Sequence, residues 1–79
     1  MIPKELEGIL VSTPDTLSGA VRFAGTRVPV QALLDTLMTT GNLEDFLEGF
    51  PDVSRDQAQA VVRWEQNISR SAFGLEPAA

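Results

Sequence analysis

From Val30 onward the apolar residues of this chain recur three and four apart, and the recurrence restarts twice. Val30, Leu33, Leu34, Leu37 and Met38 stand at i, i+3, i+4, i+7 and i+8, which is one stripe of an α-helix. Gly41 is a natural stop for that helix. Asn42 then offers an N-cap, Asp45 falls in the first turn where negative charge suits the helix dipole, and Leu43, Phe46, Leu47 and Phe50 repeat the pattern until Pro51. Ser54-Arg55-Asp56-Gln57 matches a capping box, so a third helix starts at Arg55. Its apolar side is Ala58, Val61, Val62, Trp64 and Ile68, with Glu65 near the edge. The links between helices are short. The spacing therefore predicts a compact three-helix unit whose second and third helices, joined by Pro51-Asp52-Val53, form a helix-turn-helix. Leu34 and Phe46 are predicted core residues.

Upstream of Val30 the chain reads differently. Three short β-prone pieces, Ile9–Val11, Val21–Phe23 and Thr26–Val30, are separated by the turn-rich stretches Ser12–Asp15 and Leu17–Ala20. They predict a small ribbon or hairpin. Within "RFAGTRVPV", Gly25 permits positive φ at the bend, the Thr26 hydroxyl can tie the turn, and Pro29 withholds a backbone donor, so its strand is an edge or ends there. The fold expected is mainly α: a short N-terminal β-ribbon followed by a three-helix, helix-turn-helix-like unit. Residues 1–8 read as an N-terminal arm, 9–70 as one domain, and 71–79 as a flexible tail.

A domain of 79 residues buries only about 60% of its unfolded surface. Scaffolds of this size usually gain stability from a disulfide, a metal or a partner subunit. The chain has no cysteine and no histidine, so a disulfide is impossible and a zinc site is not expected. Helix packing or oligomerisation is left. The usual nucleophile–base pairs of enzymes are missing too. Asp52 and Asp56 bracket a helix start, where acids serve the dipole, and Ser54 is a cap with no evident base. The chain is not expected to be an enzyme or to carry a cofactor or metal. The N-terminus lacks the basic region and apolar run of a signal peptide, and no apolar run approaches the ~20 residues that span a bilayer. A cytoplasmic, soluble protein is expected.

Net charge is -5, from 11 acids and 6 bases, which argues against loose charge-driven binding to nucleic acid. The cations are not scattered, however. Arg55, Gln59, Arg63, Gln66 and Arg70 fall at i, i+4, i+8, i+11 and i+15 of the third helix, one polar stripe. Arginine can bond phosphate or guanine and glutamine can bond adenine, so the stripe is a candidate DNA-reading face. It is equally what a solvated outer face held by i, i+4 contacts looks like. Arg22 and Arg27 flank the Gly25-Thr26 turn. They either reach a phosphate backbone beside the third helix or serve the fold, Arg27 by pairing with a carboxylate such as Asp35 or Glu44.

With these residues in view the chain resembles the domain-of-unknown-function family number 433. The resemblance rests on Gly19, Gly25-Thr26-Arg27-Val28-Pro29-Val30, Gly41, the acidic helix Leu43-Glu44-Asp45-Phe46-Leu47, Phe50-Pro51 and Ser54, in that order, and runs from Ile9 to Trp64. Members often carry Lys-Pro after the turn glycine and a charge before Gly-Thr-Arg, where this chain has Ala20-Val21 and Ala24. The resemblance implies a helix-turn-helix with a β-ribbon that tends to dimerise. It also implies an antitoxin of a bacterial toxin–antitoxin pair, silencing a PIN-like ribonuclease toxin and binding operator DNA as a dimeric repressor. The acidic surplus suits such a partner, because a ribonuclease that grips RNA is basic around its site. Candidate toxin contacts are Glu44, Asp45 and Glu48 on the second helix, and Phe73 and Leu75 in the tail. Solubility explains the same acids, and disorder the same tail. The alternative function is a protein–protein interaction module without DNA binding.

Overall fold

The structure, a computed structural model, describes residues 2–77. Among the described residues the chain forms a two-stranded antiparallel sheet and three α-helices. Strands β1 (Leu10–Val11) and β2 (Arg22–Phe23) pair Leu10 with Phe23 and Val11 with Arg22. Helices α1 (Val30–Thr40), α2 (Leu43–Gly49) and α3 (Arg55–Ala72) follow. The third β-prone piece, Thr26–Val30, makes no strand. It closes the bend with one bridge, Arg22 to Pro29, and with bonds from Phe23 N to Val28 O (3.0 Å) and Val30 N to Val21 O (2.9 Å). Pro29 has no N–H to carry that ladder further, and helix α1 starts at the next residue.

The helix boundaries have local causes. Gly41, at φ 70°, ends α1 in the left-handed conformation that glycine adopts without a Cβ clash. Asn42 caps α2 by accepting from Glu44 N at 2.8 Å. Ser54 and Gln57 form the full reciprocal capping box on α3. The far end of α3 closes in a Schellman motif: Leu75 N reaches Arg70 O (2.7 Å), Gly74 N reaches Ser71 O (3.1 Å), and Gly74 takes φ 73°. The segment read as a tail from residue 71 therefore begins as helix and cap. Ala78 and Ala79 of that tail lie outside the described residues, as does Met1 of the arm.

The core contains Leu6, Leu10, Phe23, Leu33, Phe46, Val53, Ala58 and Val61. Phe46 sits at its centre, with ring centroids 5.9 Å from Phe23 and 5.0 Å from Phe50, so α2 is clamped to the ribbon by aromatic contact. Two sequence expectations change. Leu6, from the stretch read as an arm, is buried on the single-turn 3₁₀ segment Lys4–Leu6 against which α3 packs. Leu34 is not a core residue: it is 36% exposed, whereas Leu33 is fully buried. Helix α1 packs on α2 and β2, while α3 leans on α2 and the Lys4–Leu6 turn. The Leu34 edge of the α1 stripe is thus left open.

The same geometry leaves much of α3 uncovered. Its 18 residues span about 27 Å, yet its buried residues, Ala58 and Val61, both lie in its first half. Ile68, predicted on the apolar side, is exposed. The molecule is accordingly elongated, 39 × 26 × 19 Å.

Candidate interaction surfaces

The Gly-Thr-Arg turn is tied from within. The Thr26 hydroxyl donates to Phe23 O (2.9 Å) and accepts from Val28 N (3.0 Å), and Gly25 takes φ 77°. Arg22 Nε donates to Thr26 O at 3.0 Å, and its guanidinium also touches Thr13 Oγ1 at 3.4 Å. Arg22 is therefore occupied in the fold. Arg27 is exposed and has no carboxylate within ion-pair distance among the described residues. Of its two expected partners, Glu44 belongs instead to Arg55.

That pair is the ion pair of the described surface. Arg55 donates two parallel bonds to Glu44, 2.6 and 2.7 Å, from the first turn of α3 to the first turn of α2. The bidentate fork matches carboxylate geometry. Hydrogen bonding by Arg55, reinforced by its charge, holds the Glu44 carboxyl below the ordinary glutamate range, and the same contact raises the Arg55 guanidinium. In the structure each is the other's ion-pair partner, on a surface where both side chains stay about half exposed. Asp45 and Glu48 remain exposed on α2.

Along the outer stripe of α3, Gln59, Arg63 and Gln66 gather with Leu43 and Val62 around one shallow recess. Arg63 is exposed and outside any ion pair of the described residues. At the far end, Arg70 Nε donates to the Glu76 carbonyl oxygen, which ties it to the cap. Of the seven residues considered for DNA, three are brought together, Arg27 stands apart, and Arg22, Arg55 and Arg70 serve internal bonds.

One link went unread in the sequence. Gln57 accepts from Ser54 N through Oε1 (3.0 Å) and donates from Nε2 to Ala24 O (3.0 Å). A capping-box glutamine keeps two amide donors in reserve. That spare donor was the only available signal; the partner, 33 residues away, is set by the tertiary fold. The turn and the start of α3 are one rigid corner.

Apolar surface is the other feature. Met38 is 87% and Phe73 78% exposed, and Ile68 and Leu75 are about half exposed. Between α1 and α3 lie two adjoining recesses that share Glu65, one lined by Leu34, Val61 and Trp64 and the other by Leu37 and Val62; together they form a groove. No three described His, Cys, Asp or Glu side chains are grouped to hold a metal, and no described helix is long and apolar enough to cross a membrane.

A β-ribbon followed by three helices, with α2 and α3 joined by a short turn and the Glu44–Arg55 salt bridge, defines a small helix-turn-helix-like class. The family model of proteins of unknown function, DUF433, matches residues 10–64, and the chain belongs to that family. A solved DUF433 member protein from Anabaena variabilis shares the fold at 21% identity and a TM-score of 0.64, covering 92% of this chain and 84% of that one. No curated protein matches the sequence.

Proposed function

We propose that this protein is an interaction protein of the antitoxin type, which binds a partner protein through its uncovered apolar surface. The observation that carries the reading is the exposure of Met38, Ile68, Phe73 and Leu75 on a chain of net charge -5. Exposed apolar groups of this size mark a partner contact where they form a contiguous patch. The acidic balance favours a basic partner, which is the character of the PIN-like ribonuclease that the family resemblance implies. Asp45 and Glu48 are available to steer such a partner, while Glu44 is held by Arg55. A homodimer would cover part of the same surface and enlarge a small core.

The test is size-exclusion chromatography with light scattering on the protein co-expressed with the product of the neighbouring reading frame. A stable complex supports the reading. Two separately eluting species at micromolar concentration refute it.

A second reading, operator binding, is favoured by the alignment of Gln59, Arg63 and Gln66 on one face of α3. Arg63 is the cation of that face outside any ion pair of the described residues. Gel shift with the upstream DNA tests it: Arg63→Ala should abolish the shifted band, and an unchanged band removes α3 from the interface.

A further inference from the structure

We propose that the groove between α1 and α3 is the docking site for an apolar helical segment of a partner protein, and that this segment carries one cation opposite Glu65. The proposal rests on the reading of this chain as a protein-binding module and names the site and the chemistry of its occupant.

The geometry comes first. Helix α1 packs mainly on α2 and β2, and α3 mainly on α2 and the Lys4–Leu6 turn. The space between them is open along α1, whose 11 residues extend about 16 Å. That length matches three turns of an incoming helix, the span over which i, i+3, i+4 and i+7 anchors engage a groove. Leu34 and Leu37 line it from α1, and Val61, Val62 and Trp64 from α3.

Charge then selects the occupant. The half of the groove nearest the ribbon is lined by a single charged side chain, Glu65. Glu65 also lines the other half, where Arg70 is already engaged by the Glu76 carbonyl. Its carboxylate has no ion-pair partner among the described residues. An apolar segment laid over Glu65 would strip water from an unpaired anion unless it supplied a cation there. A second copy meeting the groove about a two-fold axis would bring two Glu65 carboxylates toward each other on bodies that each carry -5, which disfavours self-association at this site. A partner helix with a central arginine or lysine satisfies both the apolar walls and the acid.

Trp64 is the sole tryptophan and lines the groove, so its emission reports occupancy. The experiment titrates the full chain with two synthetic helical peptides of about 14 residues. Both carry leucines at the anchor spacing, and they differ only in a central arginine or glutamate. The arginine peptide should shift Trp64 emission and bind about tenfold more tightly than the glutamate peptide. Glu65→Gln, an exposed substitution checked for folding by circular dichroism, should bring that ratio close to one. Equal affinities for the wild type, or a ratio unmoved by Glu65→Gln, overturns the proposal. So does an emission shift that follows protein concentration without peptide, which would mean that a second copy fills the groove. If neither peptide binds while the complex with the neighbouring gene product still forms, the groove assignment fails and the interaction reading stands. If that complex is also absent, both fail.

Discussion

Leu33 and Leu34 are adjacent, chemically identical and on the same helix, yet the fold treats them oppositely. Leu33 is fully buried among the core residues of β2 and α2, and Leu34 is 36% exposed on the wall of the open groove. Leu33→Ala removes buried methyl groups and leaves a cavity, which costs about 2–5 kcal/mol. A domain of this size holds about 4–12 kcal/mol in total. At about 4–8 °C per kcal/mol, the melting temperature should fall by at least ~8 °C, and at the upper limit the chain should not fold. Leu34→Ala exposes a site that already opens to water, so no closed cavity forms and the cost should stay near ~1 kcal/mol. Thermal melts followed by circular dichroism measure both. Equal shifts, or a larger one for Leu34, would refute the orientation of α1 and the openness of the groove.

Ser54→Ala should lower stability by about 1 kcal/mol through the lost cap, and an unchanged melt would move the start of α3. Gln57→Ala should cost more than Ser54→Ala, because it also strands the Ala24 carbonyl that Gln57 Nε2 bonds; chemical denaturation compares the two. Gly25→Ala should cost about 1–2 kcal/mol from its positive φ alone, since an added Cβ meets nothing within 4 Å; a neutral result would contradict the turn geometry. Arg55 depresses the Glu44 carboxyl in the folded state. Its contribution is therefore present above the unfolded glutamate value and is lost as pH falls through the lower folded one. The melting difference between wild type and Glu44→Gln should shrink as pH drops from neutral to about 3, and a constant difference would deny the pair.

The helices were legible because their signals are local. The Gly41 stop, the Asn42 cap, the Pro51 break and the Ser54 box each act within one turn of chain, and each boundary follows from the residue that causes it. The Thr26–Val30 piece misled because β-propensity says nothing of pairing partners, and Pro29 denied it a ladder. Leu34 and Ile68 misled for a tertiary reason: the 3.6-residue period identifies the apolar stripe, but only the neighbouring helices decide which edge is covered. The arginine stripe was legible as a stripe, while the pairing of Arg55 with Glu44 depends on how α2 meets α3, across 11 residues of sequence. Leu6 was hidden because a single-turn 3₁₀ segment carries no periodic signal.

The most direct measurement is amide hydrogen exchange on the protein alone and with the product of the neighbouring reading frame. The account predicts added protection along the groove-facing parts of α1 and α3, around Leu34–Thr40 and Glu65–Ala72. Protection confined to the ribbon and the Gly-Thr-Arg turn, or no added protection anywhere, would contradict it.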